Sequence, residues 1–221
     1  MNLLFDLDGT LTNPFQGITT CIAHALERMG ITSPPKAELG WCIGPPLRSS
    51  FAKLLAGDDP ERIEKALGLY RERFSTAGLF ENEVYEGIPG ALEALQAMGH
   101  RLYLATSKPR VYAQRIMDHF DLSPYFTGIH GAELDGVRND KTSLISHILE
   151  QESIAVSETV MIGDRKYDMI GAGDNGVCAF GVLWGYGTRE ELKSSGASAF
   201  IETPYKLASA LQGNFDHGNH G

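Results

Sequence analysis

Cysteine is scarce in this sequence: three residues in 221, Cys21, Cys42 and Cys178, scattered and without a Cys-x-x-Cys spacing. That excludes a disulfide framework and the common zinc knuckles, and it predicts reduced thiols in a cytoplasmic protein. No apolar run approaches the roughly 18 residues of a membrane span, and the chain reaches Asp6 and Asp8 without a basic region leading into an apolar stretch. Neither a signal peptide nor a membrane partner is expected. Positive charge is also short, 19 Lys+Arg against 28 Asp+Glu, for a formal net charge of −9 and a pI near 5.2. A nucleic-acid polymer would be repelled by such a surface, so a small anionic ligand would need cations placed locally around it. Internal repeats and low-complexity tracts are lacking. The oligomeric state is left open, a monomer being compatible with everything read here.

What is present is 43% apolar residues, an ordinary share for one globular core, arranged in short blocks. Asn2 to Phe5, Arg101 to Ala105, Thr159 to Ile162 and Cys178 to Trp184 read as buried parallel strands. Between them run amphipathic stretches such as Ala91, Leu92, Leu95, Met98 and Leu144, Ile145, Ile148, Leu149, with apolar residues three and four apart. Strands alternating with helices predict an α/β fold, a doubly wound parallel sheet with a Rossmann-like core. From Asp8 to Arg101 no convincing strand occurs, although a βαβ unit needs only about 30 residues. The pattern there is helical, with Ile18, Ile22, Ala25, Leu26 and Met29 on one face and Ile63, Leu67, Tyr70 and Phe74 on another. Residues 15–83 are therefore expected to form an inserted helical cap on a catalytic core of residues 1–14 and 84–212. Its joints are expected at Asn13-Pro14 and at Gly87-Ile88-Pro89-Gly90. Residues 213–221 are polar and aperiodic and read as a flexible tail.

Asp6 and Asp8 stand two apart at the end of an apolar strand, which sends both carboxylates to one side if the extended geometry persists. Like charges so placed need a cation or a shared proton, unless they merely cap nearby amides. Gly9-Thr10 suits a sharp exit loop. A second apolar strand ends in Gly163-Asp164, with Asp168 four residues on. Ligands of doubly wound sheets bind at the carboxyl ends of the strands, so Asp6, Asp8 and Asp164 can converge there. An all-oxygen site of few carboxylates favours Mg²⁺ over zinc. Asp168 either supports a metal-bound water or simply places charge at a helix start. Thr106-Ser107, before a helix that Lys108-Pro109 would open, offers hydroxyls and free amides as a phosphate seat, or ordinary helix caps. Lys141 faces either a dianion or solvent, with Lys108, Arg138 and Lys166 as rival cations.

The order of these blocks resembles the haloacid dehalogenase superfamily of phosphatases with a helical cap of the first type. Asp6-Leu7-Asp8-Gly9-Thr10-Leu11-Thr12 looks like its first motif, Thr106-Ser107 the second, Lys141 the third and Gly163-Asp164-Arg165-Lys166-Tyr167-Asp168 the fourth. The resemblance implies a phosphomonoesterase acting on a small phosphorylated metabolite. It makes Asp6 the nucleophile, Asp8 the general acid/base, and Thr106, Ser107 and Lys141 the holders of the phosphoryl oxygens. Mg²⁺ would be bound by Asp6, the backbone carbonyl of Asp8 and Asp164. Asn13 and Thr12 depart from common family choices without touching these roles.

Gly44-Pro45-Pro46-Leu47-Arg48, Thr106 to Pro109 and Gly163 to Lys166 resemble the branch of phosphoglycolate-phosphatase-like proteins and 5'-nucleotidases. Arg48 is the cap candidate for substrate contact, and Trp41 and Phe51 are candidates to stack on a base. Nucleoside 5'-monophosphates are the expected substrates, phosphoglycolate the alternative. A dehalogenase is disfavoured by Asp8, since a halide leaves without a proton. A phosphomutase stays open, whereas a phospho-accepting receiver would need no lid. Gly171 to Gly176 matches a dinucleotide fingerprint in letters only, because it falls inside a helix and not between a strand and its helix.

Overall fold

In the computed structural model residues 1–213 are described, and beyond Gly213 the tail expected at residues 213–221 lies outside them. The chain begins with β1 (Asn2–Phe5) and runs through β2 (Thr12–Asn13), α1 (Phe15–Arg28), α2 (Leu47–Leu54), α3 (Pro60–Arg73) and β3 (Glu83–Val84). It continues with α4 (Ile88–Ala97), β4 (Arg101–Pro109), α5 (Arg110–His119), β5 (Gly128–Ala132), α6 (Lys141–Gln151), β6 (Thr159–Gly163) and α7 (Lys166–Asp174). It closes with β7 (Cys178–Val182), α8 (Arg189–Ser194), β8 (Ala199–Ile201) and α9 (Leu207–Gly213).

β1 is apolar from Leu3 to Phe5, as suits a strand buried on both faces, and it pairs in parallel with β4 on one side and β6 on the other. The main sheet has six strands in the order β5-β4-β1-β6-β7-β8, all its pairs parallel. Side chains alternate across it. Leu3 and Phe5 belong to the larger apolar cluster, while Leu4 joins Tyr103, Leu144, Ile145, Met161 and Met169 in a second one. This is the doubly wound sheet that alternating strands and helices predict.

Three differences from the sequence reading have local causes. β4 continues past Ala105 to Pro109, and α5 starts at Arg110 instead of Lys108. A residue before proline is pushed into extended backbone, so Lys108 stays in the strand, with a register shift between Thr106 and Pro109. β5 and β8 were not expected: Gly128-Ile-His-Gly-Ala132 and Ala199-Phe-Ile201 are too short or too weakly apolar to show a pattern, and edge pairing makes them strands. The third is the two-residue antiparallel ribbon of β2 with β3.

That ribbon marks where the helical segment leaves and rejoins the sheet, so the crossing points are β2 and β3. Gly87 instead serves as the left-handed N-cap of α4. Within the segment, Ile18, Ile22 and Leu26 of α1 lie in one apolar cluster with Ile63, Leu67, Tyr70 and Phe74, as their three- and four-residue spacing requires. Asp59 caps α3 by accepting from the Glu61 and Arg62 amides, with Pro60 at the first helical position. α3 runs into a five-residue π-turn, Phe74–Gly78.

Candidate active site

The carboxyl ends of β1, β4 and β6 lie side by side because those strands are neighbours in the sheet. Asp6 follows β1, Thr106 and Lys108 lie at the end of β4, and Asp164 follows β6. Carboxylate oxygens of Asp6, Asp164 and Asp168 lie within 4.8 Å of one another, and all three residues are buried. Asp168 reaches the group from the first turn of α7, where its Oδ2 accepts from the Arg165 amide at 3.1 Å. It is thus both a helix-start charge and a member of the carboxylate group.

Lys141 opens α6 just after Asp140, whose side chain caps the helix by accepting from the Ser143 amide. Its ammonium has three hydrogens and three acceptors: Asp6 Oδ1 at 2.8 Å, Asp168 Oδ1 at 2.7 Å and the Ala105 carbonyl at 2.6 Å. Burial pulls its pKa down, but Asp168 and Asp6 outweigh that and hold it above the ordinary lysine range. The lysine is a fixed cation.

Asp164 is enclosed on every side. Thr10 Oγ1 donates to it at 3.4 Å and the Tyr186 amide at 2.8 Å. Gly9 lets the first loop pass over it: its φ is +88°, and a Cβ there would run into the Asp164 carboxylate. Burial, then Asp168 and Asp6, push the Asp164 pKa well above the usual carboxylate range. Burial also raises Asp168, to about 6, against the pull of Lys141 and with the push of Asp6.

Asp8 is turned away from this group. Both of its oxygens lie 2.6 Å from Lys108 Nζ. Burial still holds its pKa above the ordinary aspartate value, Lys108 pulling the other way. Thr106, 2% exposed, accepts from the Lys108 amide through Oγ1 at 3.2 Å, and Thr106 and Ser107 line the cavity above Asp6. The other cations stand elsewhere: Arg138 pairs with Glu133 at 2.6 Å, and Lys166 lies over the Tyr167 ring.

The cavity has a volume of about 300 Å³ and lies between the strand ends and the helical segment. Ile18, Leu67, Tyr70, Phe74 and Tyr112 form its apolar wall. Arg48 lines it, but its guanidinium is held by Glu64 of α3. Phe51 and Trp41 do not line it. Phe51 is fully buried against Tyr70, and Trp41 is 40% exposed beneath Lys53, because Phe51 supplies the inner face of short α2 while Trp41 falls outside it.

Sequence reasoning missed the loop after β7, expected as strand up to Trp184. β7 ends at Val182, and the loop folds onto the site. Trp184 Nε1 donates to the Thr10 carbonyl at 3.0 Å, and Tyr186 OH to Asn13 Oδ1 at 2.5 Å. Gly185 and Gly187 flank Tyr186, a spacing that signals close backbone approach and was available to be read. Arg165 was also missed as a link: it donates to Glu191 at 2.9 Å and to the carbonyl of Ile43 in the helical segment.

The model of the haloacid dehalogenase-like hydrolase family matches residues 3–182. A 5'-nucleotidase of Pseudomonas aeruginosa is 49% identical over 193 residues, 87% of each chain. The tyrosine-protein kinase PtkA of Mycobacterium tuberculosis is 37% identical over 185 residues, 84% of this chain but 62% of that relative. The crystal structure of a predicted phosphatase from Clostridium acetobutylicum superposes with a TM-score of 0.91 at 39% identity, covering 96% of this chain and 97% of that one. The chain belongs to the haloacid dehalogenase-like hydrolase family, as one of its phosphatases.

Proposed function

We propose that the chain is a Mg²⁺-dependent nucleoside 5'-monophosphate phosphatase that works through an aspartyl-phosphate on Asp6. The observation that carries this reading is the ammonium of Lys141 locked between Asp6 and Asp168 at the floor of a cavity that also holds Asp8, Thr106 and Ser107. A carboxylate nucleophile divides the displacement into two steps, and a fixed cation beside it offsets charge on the transferred group. An Asp6 oxygen attacks phosphorus while Asp8 gives a proton to the departing oxygen. Asp8 then takes a proton from the water that attacks the phosphoenzyme, and Asp6 is released. Thr106, Ser107 and Lys141 hold the phosphoryl oxygens.

The three buried carboxylates suit a hard divalent cation, because burial, with Asp6 beside them, raises the pKa values of Asp164 and Asp168 and a cation removes that cost. Asp6, Asp164 and the Asp8 carbonyl would hold Mg²⁺, with Asp168 behind them. When bound it supplies neutralisation of the phosphoryl charge. Residues 15–83 serve as the cap over residues 1–14 and 84–212, excluding water once substrate is seated.

The choice of nucleotide over phosphoglycolate rests on which cavity groups are already engaged. Arg48 is paired with Glu64, Arg165 with Glu191 and Lys108 with Asp8, so a carboxylate on the leaving group would compete for each. The wall of Leu67, Tyr70, Phe74 and Tyr112 instead suits an uncharged, partly aromatic leaving group. The 49% identity with a 5'-nucleotidase supports the same choice. The test is kcat/KM for a panel of 5'-nucleotides, phosphoglycolate and sugar phosphates, with Mg²⁺, Ca²⁺ or chelator. Mg²⁺-dependent preference for nucleotides is expected, and preference for phosphoglycolate would refute the substrate assignment.

A further inference from the structure

Lys108 belongs to the core by sequence, yet it is clamped between the core and the helical segment. The proline after it keeps it extended at the end of β4. Its side chain is 6% exposed, and its ammonium contacts both oxygens of Asp8 at 2.6 Å, so the carboxylate is gripped symmetrically. On the other side the ammonium stands 5.2 Å from the centroid of Phe74. Phe74 is itself fixed: it stacks on Tyr70 at 5.1 Å and 18°, and meets Tyr112 edge-on at 5.7 Å and 77°. It opens the π-turn that ends α3, an irregularity that recurs at functional sites.

We infer that Lys108 is a positioning residue that holds the Asp8 carboxylate in place, with Phe74 of the helical segment as its backstop, so that the acid/base is aligned only while that segment sits on the core. The inference rests on the acid/base role proposed for Asp8. Proton transfer needs heavy atoms within about 2.6–3.2 Å, and a misplacement of about 1 Å costs on the order of 100-fold. A lysine bound to both oxygens and stopped behind by an aromatic face removes that freedom. Lys108 need not touch substrate to do so.

The experiment compares kcat/KM, which reports phosphoryl transfer to Asp6, for a nucleoside 5'-monophosphate and for p-nitrophenyl phosphate, whose leaving group departs without a proton. Lys108→Met should lower it on the nucleotide by roughly 10- to 100-fold and on the aryl phosphate by less than about threefold. It should add nothing in an Asp8→Asn background. Phe74→Leu should show the same asymmetry more weakly, and Lys108→Arg should restore most of the loss. If Lys108→Met does not fold by its thermal midpoint, Phe74→Leu carries the comparison, since it leaves every polar group in place. Equal losses on both substrates, additive with Asp8→Asn, overturn the inference and make Lys108 a phosphoryl contact. Full activity of Asp8→Asn on the nucleotide overturns the acid/base reading and this inference with it, whereas a slow Asp8→Asn beside an unaffected Lys108→Met overturns the inference alone.

Discussion

Asp6, Asp164, Asp168 and Lys141 share a space closed to water, and burial there raises the pKa values of Asp164 and Asp168. Asp168 is raised to about 6 from an ordinary value near 3.8, so the metal-free fold takes up its proton more readily than the unfolded chain does. Its contribution to stability therefore falls as pH rises from about 4 through 6, and a bound cation reverses that cost only where the carboxylate is ionised. Mg²⁺ should raise the thermal midpoint at pH 7.5, by about 2.7 kcal/mol of stability at a hundredfold excess over its Kd, and much less at pH 5. Melts at the two pH values, each with Mg²⁺ or chelator, check this; an equal shift at both would contradict it. Asp6→Asn should abolish turnover and the phosphoenzyme, since an amide is a poor nucleophile, and intact-mass measurement after quenching reads the latter directly. Asp8→Asn should slow turnover by roughly 10²- to 10⁴-fold while the Mg²⁺-induced rise in thermal midpoint stays unchanged. Loss of that rise would make the Asp8 side chain a ligand.

Among the elements, the loop after β1 is the most constrained. Gly9 combines a φ of +88° with direct apposition to Asp164, so Gly9→Ala strains the backbone and displaces a carboxylate together. It should cost more than about 1 kcal/mol in chemical denaturation and weaken Mg²⁺ stabilisation, whereas Gly90→Ala, where a methyl meets open space, should cost far less. Gly171 is the comparable position inside α7. A Cβ there would come within 2.5 Å of Lys141 Cβ, so Gly171 lets α7 pack closely on α6, whereas a Cβ at Gly173 meets open space. β1 and β6, as short apolar runs, and α4 and α6, with apolar residues three and four apart, were legible in the residues. β5, β8 and the β2-β3 ribbon were not, because pairing with a neighbour makes them strands and the composition of Gly128 to Ala132 does not.

Across the whole molecule, the polar links between the helical segment and the core among the described residues include Arg165 to the Ile43 carbonyl, Arg115 to the Ser75 carbonyl at 2.8 Å, Asn82 to Thr12 Oγ1 at 3.2 Å and Arg71 to the Leu134 carbonyl at 3.5 Å. Tyr112→Ala should lower kcat/KM for 5'-nucleotides by roughly tenfold or more, the scale of one lost aromatic contact, while leaving phosphoglycolate unaffected. Trp41→Ala should change neither, since that ring lies outside the cavity. Steady-state kinetics on both substrates would decide it. The sequence by itself determined the order of the four apolar strands and of the amphipathic helices between them, the carboxylates at two strand ends and the lysine at a helix start, because local period and residue chemistry are carried within a few residues. It left undecided which cation serves which carboxylate and which aromatic rings face the cavity. Only the tertiary structure put Lys141 on Asp6 and Asp168, Lys108 on Asp8, and Tyr112 rather than Trp41 at the wall, since the ion-pair partners stand 27 to 135 positions apart and meet only when adjacent strands and the inserted helices pack together.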